Sequence, residues 1–230
     1  MAEYGPNVAA IAALIGDPVR ARMLFALLDG GEIAASALAS RAGASAQSAS
    51  GHLSKLAAGG LVTARAAGRQ RLYRLASSQI ASAIETLASI APLAPVSSLN
   101  QHTSMQRLRE ARSCYDHFAG RLGVKITDSL KRSGAIVLRG EDFALTRPGH
   151  RMLVRIGIDV DAAREQRRAF ARACIDWTER RPHLAGSLGA ALLDHALAEQ
   201  WVRRHASDRS LRITPPGRDA LSRLFGLEID

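Results

Sequence analysis

Residues 45–75, SAQSASGHLSKLAAGGLVTARAAGRQRLYRL, constrain this chain most, because they encode a helix, a glycine stop and a basic hairpin in immediate succession. Small or apolar residues at Ala46, Ala49, Leu53, Leu56 and Ala57 recur at helical spacing and predict one inward face. Successive residues turn by about 100°, which places Gln47, Ser48, Gly51, Ser54 and Lys55 on the opposite side. Ser45 suits the N-cap, and Gly59-Gly60 supplies the stop. Residues 61–64 and 71–75 then read as two short strands joined by a small-residue tip at Ala67-Gly68. The hairpin carries Arg65, Arg69, Arg71 and Arg74, and with Lys55 the stretch holds five cations and no Asp or Glu. A one-sign hairpin beside a polar helix face calls for a polyanion. Short hydrogen-bonding side chains suit base edges and the cations suit phosphates, so the expected partner is double-stranded DNA.

A chain of 230 residues has room for two domains, and 47% hydrophobic residues can build a core in each. Only 4% of residues are aromatic and alanine is abundant, which favours closely packed helices over sheet. The net charge of +10 is not uniform. Residues 1–76 hold eight Lys/Arg against four Asp/Glu, concentrated as described, whereas residues 77–230 intersperse both signs. The start, Met1-Ala-Glu-Tyr, lacks the cationic and apolar pattern of a leader, and the apolar run at residues 8–15 is too short to span a bilayer. A cytoplasmic protein without membrane contact is expected. Cys114 and Cys174 are too few for a disulfide scaffold and are expected to be reduced there.

Along the chain, the apolar run is a first helix and Asp17-Pro18 starts a second, ending near Leu28 before Asp29-Gly30-Gly31. Residues 36–42 form a third helix closed by Gly43, and a further helix runs from Ser77 or Ser78 to about Ile90. The order and spacing of Gly16-Asp17-Pro18-Val19-Arg20, Leu24, Leu28, Ser48, Ser50, His52, Leu53, Leu56, Gly60-Leu61-Val62, Gly68-Arg69 and Tyr73-Arg74-Leu75 resemble the winged helix-turn-helix of the ArsR/SmtB repressors. The resemblance covers the first third of the chain. It implies sequence-specific DNA binding by a homodimer, with Ser50 beside the other polar residues of a recognition helix, His52 in that helix either on a phosphate or supporting the helix, and the hairpin as wing. The usual metal positions of such repressors are missing: the third helix has no cysteine, and the helix to Ile90 has Glu85 but no histidine.

Pro92, Pro95 and Ser97-Ser98 interrupt the periodicity, so the expected division is a DNA-binding domain at 1–91, a linker at 92–104 and a C-terminal domain at 105–230. The last contains an internal repeat, about 114–160 and 174–230. HFAGRLGV from His117 matches HLAGSLGA from His183, LTRPG from Leu145 matches ITPPG from Ile213, and IGID from Ile156 matches FGLE from Phe225. Each copy reads as helix, hairpin, helix, with Ala119, Gly120, Gly123 and Ala185, Gly186, Gly189 allowing close helix approach. The fold class is therefore mainly α with small β-hairpin wings: a winged helix-turn-helix followed by a duplicated helical domain.

Cys114-Tyr-Asp-His117 and Cys174-Ile-Asp176, with His183, straddle the repeat. On a helix Cys114 and His117 lie one turn apart. Facing repeats would gather Cys114, His117, Cys174 and His183 into a set suited to zinc or another thiophilic metal, with Asp116 and Asp176 behind it. The same residues also read as packing, since Cys114 borders an apolar stripe of Ala111, Tyr115, Phe118 and Leu122, or as a thiol or organic-ligand sensor. The arginines Arg164, Arg167, Arg168, Arg172, Arg180 and Arg181 read as a solvated, inter-subunit or flanking-DNA face. No phosphate-binding glycine loop, GxSxG or HExxH is present, and nothing around Cys174 resembles an activation scheme, so no catalytic residues are assigned and an enzyme is not expected. The expected function is a repressor released by an effector, whether metal, metalloid, thiol oxidant or small molecule, sensed by the C-terminal domain. The alternative makes that domain a dimerisation or protein-interaction module without ligand.

Overall fold

The computed structural model describes residues 5–93, 95 and 98–229, which form two compact units, 1–84 and 85–230. The start at Met1-Ala-Glu-Tyr, expected to carry no leader, and Ser97 of the expected linker lie outside the described residues.

In the N-terminal unit, α1 (Val8–Ile15) and α2 (Pro18–Leu27) precede the short strand β1 (Ile33–Ala34), then α3 (Ala35–Ala42), α4 (Ala46–Ala58), and the strands β2 (Val62–Ala67) and β3 (Gln70–Leu75). Asp17 starts α2 by accepting from the amides of Val19 and Arg20, and Gly43 ends α3 in the left-handed conformation. Met23, Leu24 and Leu27 of α2, Leu38 of α3 and Leu53 and Leu56 of α4 are fully enclosed and hold the three helices together. The sheet has the order β1-β3-β2, with Ile33 opposite Tyr73 and Val62 opposite Leu75. Two residues are too few for β1 to show any alternation, which is why the sequence pattern passes over it.

Helix α5 (Ser78–Ile90) runs unbroken across the division, which falls at Ile84 rather than at the prolines. The expected linker at 92–104 is also shorter than the sequence suggests. Helix α6 (Leu99–Glu110) begins inside it, capped by Ser98, which accepts from the Gln101 amide. None of its residues is buried, so it carries no apolar stripe for a periodicity argument to find.

The second unit continues with β4 (Arg112–Cys114), β5 (His117–Ala119), α7 (Gly120–Arg132), β6 (Ile136–Arg139), β7 (Asp142–Leu145), α8 (Arg147–Arg155) and α9 (Val160–Glu165). It ends with β8 (Arg172–Ile175), β9 (Pro182–Ala185), α10 (Gly186–Ala198), β10 (Val202–Arg204), β11 (Leu211–Ile213) and α11 (Pro215–Phe225). The expectation that Cys114 and His117 sit one turn apart on a helix is overturned. They face each other across the hairpin β4-β5, as Cys174 and His183 do across β8-β9. Tyr115, at φ 61°, reverses the first hairpin over two residues, a conformation a helix excludes.

Of the close approaches expected between helices, Gly120 of α7 makes one against α6, whereas Gly123 and Gly189 approach the carbonyls of Phe118 and Leu184 in the preceding strands. Gly120 sits at φ 74°, and a Cβ there would lie 2.7 Å from the carbonyl oxygen of Arg109. The hairpins also pair reciprocally. The Leu211 amide donates to the Ala111 carbonyl at 2.8 Å, and the Phe143 amide donates to the Ala171 carbonyl at 2.9 Å. One continuous core fills the space between, with Leu122, Ile126 and Leu130 of α7 and Leu188, Leu192 and Leu193 of α10 at its centre.

Candidate nucleic-acid interface and candidate metal centre

Helix α4 turns Ala49, Leu53 and Leu56 inward, while Ala46 and Ala57, assigned to the same face from spacing, are exposed. Gln47, Ser48, Ser50, Gly51, Ser54 and Lys55 are exposed, as a surface that approaches a groove requires. His52 departs from this set: its half-buried ring lies 3.6 Å from the Asp17 carboxylate that caps α2, so it braces α4 against α2. In the wing, Arg69 and Arg71 are exposed, and the Arg71 guanidinium stands 6.0 Å from the Tyr73 ring. Arg65 instead forms a bidentate ion pair with Glu32 from outside the hairpin. The one-sign character read along the chain is therefore reduced by one charge in space.

The second site is built by the hairpins β4-β5 and β8-β9. Cys114 Sγ lies 3.9 Å from Cys174 Sγ, and His117 Nε2 lies 3.2 Å from His183 Nε2. One donor atom from each of the four residues falls within 4.8 Å of every other. Cys114, His117 and His183 are buried and Cys174 is half-buried. Gly189 admits the cluster at the head of α10, since a Cβ there would meet the His117 side chain at 3.1 Å and the Leu184 carbonyl oxygen at 2.5 Å.

Carboxylates stand behind both imidazoles. Asp116 Oδ1 lies 3.2 Å from His117 Nδ1, and its other oxygen accepts from Arg168. Asp176 Oδ2 lies 3.8 Å from His183 Nδ1; it accepts from Arg112 Nη2 at 2.8 Å and from the Gly120 amide at 2.6 Å. Burial works against both carboxylates, but the facing cations and hydrogen bonds hold them ionised below the usual carboxylate range. Burial likewise opposes a charged imidazole at His117, yet the neighbouring Cys114 and Asp116 outweigh it and raise its pKa to about 9. Cys114 is pushed well above the ordinary thiol value by its contact with Cys174 and by burial.

Two residues that no motif singled out complete the surroundings. Glu85 on α5 is not placed as a ligand. It is buried, pairs with Arg209 Nη1 at 2.5 Å and lies beside the Cys114 thiol. Arg112, also buried, packs its guanidinium 4.5 Å from the Trp177 ring. For Glu85 the sequence signal was a lone charge inside an apolar stretch, which does not name its partner, and Arg112 lies among other charges that hide it. Of the arginine-rich face, Arg164, Arg167, Arg180 and Arg181 are exposed, and Arg168 and Arg172 are half-buried. Arg168 pairs with Asp116, Arg181 with Asp128, and Arg164 lies over the Phe170 ring.

Residues 15–65 match the sequence pattern of a helix-turn-helix domain family. Over 224 residues the chain is 42% identical to the HTH-type transcriptional regulator YdfF of Bacillus subtilis (strain 168), a match spanning 97% of this chain and 99% of the relative. Two solved structures are similar over the N-terminal part. The homodimeric winged helix-turn-helix DNA-binding domain Mb0332 of Mycobacterium bovis, described as a possible ArsR-family regulator, is 29% identical and covers 38% of this chain and 86% of its own, with a TM-score of 0.31. The cadmium sensor CMTR of Mycobacterium tuberculosis is 36% identical and covers 40% of this chain and 98% of its own, with a TM-score of 0.32. Among the described residues, no helix is long and apolar enough to cross a membrane.

Proposed function

The chain belongs to the helix-turn-helix-type transcriptional regulators, and on that premise we propose that it is a cytoplasmic, homodimeric repressor of the ArsR/SmtB kind, and not an enzyme, whose second unit binds zinc. The observation that carries the metal reading is the convergence of two sulfurs and two imidazole nitrogens. A tetrahedral zinc with Zn–S of about 2.3 Å and Zn–N of about 2.0–2.1 Å sets its sulfurs about 3.8 Å apart and its nitrogens about 3.3 Å apart. The separations here are 3.9 and 3.2 Å.

Charge balance supports the same assignment. Two thiolates neutralise a divalent ion, while Asp116, Asp176 and Glu85 are each already paired with an arginine. Metal therefore enters without adding net buried charge. Asp116 orients His117 through its far nitrogen at 3.2 Å, while Asp176 stands 3.8 Å from the far nitrogen of His183. Metal would tie the two hairpins together, and with them the two halves of the unit. Those halves read as duplicated copies. Thr146 and Thr214 each cap the following helix through the amide of Gly149 or Gly217, and the hairpins of the two halves exchange bonds in both directions, which supports that reading. Glu85, on α5, lies beside the Cys114 thiol and pairs with Arg209. The wholly apolar, unburied helix α1 supports a homodimer.

Elemental analysis of untagged protein is expected to find one zinc per chain, lost from the Cys114→Ala and Cys174→Ala variants; metal-free wild type would overturn the assignment. Gel-shift titration with and without a chelator tests the coupling, and identical affinities would leave the second unit as a dimerisation module. For the wing, the Arg69→Ala/Arg71→Ala variant is expected to bind every DNA more weakly. Its salt slope should fall by about 2, roughly one for each phosphate that the variant leaves unneutralised. An unchanged slope would remove the wing from the interface. Gln47→Ala should instead shift sequence preference, by about 1–3 kcal/mol at the base pair it reads.

A further inference from the structure

We propose that Cys114 and Cys174 form an oxidation site, at which a hydroperoxide converts the dithiol into a disulfide and discharges the metal. The discharge rests on the zinc reading above; the disulfide does not. The two sulfurs are 3.9 Å apart on different hairpins, and a disulfide bond needs about 2.05 Å. A closure of about 2 Å is within reach of side-chain rotation with a small strand shift. The pair is also asymmetric: Cys174 is half-buried next to the exposed Ile175, whereas Cys114 is only 1% exposed. The outer sulfur is open to a small oxidant and the inner one is positioned to resolve it.

The chemistry closes without a further reagent. Cys174 sulfur attacks one oxygen of hydrogen peroxide, the O–O bond breaks, and the departing hydroxide leaves as water after taking a proton, giving a sulfenic acid. In the metal-free dithiol the two thiols supply the protons for both waters, and in the metal-bound state solvent does. Cys114 sulfur then attacks Cys174 sulfur, the S–O bond breaks, and a second water leaves with the remaining proton. Two electrons pass from the sulfurs to the peroxide. The metal loses both thiolates, and His117 and His183 alone do not retain a divalent ion in a site built for four donors. Because the bond joins residues 60 apart and crosses the two halves of the unit, it holds the hairpins together after the ion has gone.

The test uses the full chain treated with hydrogen peroxide, followed by intact mass, peptide mapping and zinc release to a chromophoric chelator. The expected result is a mass loss of two hydrogens, a crosslinked peptide pair containing Cys114 and Cys174, and one equivalent of zinc released, all reversed by a dithiol reductant with zinc present. In Cys114→Ser the sulfenic acid on Cys174 should persist and be trapped by a dimedone reagent. A crosslink in protein that never held zinc sinks the metal reading and sustains the oxidation site. Folded wild-type protein that keeps both thiols, or releases zinc while its cysteines go on to sulfinic acid uncrosslinked, overturns the proposal.

Discussion

On the proposed zinc reading, replacing His183 with alanine is expected to abolish metal binding and the response of thermal stability to chelator. His183 is fully enclosed, stacks on His117 with ring centroids 5.1 Å apart and supplies one of four donors. Structural zinc sites contribute on the order of 10–16 kcal/mol of apparent binding free energy in small zinc-dependent folds, and that energy is folding energy. Loss of one donor should therefore cost more than the roughly 10–100-fold that loss of an outer partner costs. Asp116→Asn supplies the comparison, because it removes the carboxylate behind His117 and leaves the donor in place; its metal affinity should fall within that 10–100-fold range. Competition against a chromophoric chelator reads both values. The alanine variant also leaves a cavity, so destabilisation by itself decides nothing. The decisive reading is whether chelator still lowers its unfolding midpoint, and a variant that responds as wild type does would end the role assigned to His183.

Arg112→Met should destabilise the second unit by about 3–5 kcal/mol, the usual cost of removing one partner from a buried ion pair. Both Arg112 and Asp176 have side chains without solvent exposure, and the guanidinium also donates to the Leu108 carbonyl and to Thr178. Without it, Asp176 keeps a buried charge held by the Gly120, Thr178 and Glu179 amides and the Thr178 hydroxyl. Adding Asp176→Asn removes that charge and should recover most of the loss. Denaturant unfolding followed by tryptophan emission measures it, because Trp177 and Trp201 are both buried in the second unit. A loss under about 1 kcal/mol for Arg112→Met alone would show that the amide donors carry Asp176 without the arginine.

The N-terminal unit was legible in the sequence because its signals are local. Caps at Asp17 and Ser45, glycine stops and the period of α4 each act within a few residues, so the elements follow from spacing. The departures are the contacts made at a distance. Glu32 lies 33 residues from Arg65 and takes its charge out of the wing, and His52 turns to Asp17. In the second unit the repeat pointed to Cys114, His117, Cys174 and His183 as a group, but their local structure was read wrongly. A separation of three residues suits one helical turn and equally suits a tight hairpin, and only the backbone at Tyr115 separates the two. The longer excursion between Cys174 and His183 is accommodated in a hairpin, where Pro182 opposes Ile175.

By itself the sequence determined the helix-turn-helix order, the exposed polar face of α4 and the position of the wing, because each of these is set by spacing along the chain. The tertiary structure alone decided that four donor atoms separated by up to 69 residues converge, that Arg112, Asp176, Glu85 and Arg209 pair inside the core, and that Glu85 lies against Cys114. Those outcomes depend on which hairpin packs on which. The shared core and the reciprocal strand bonds settle that packing together, and no single segment carries the information.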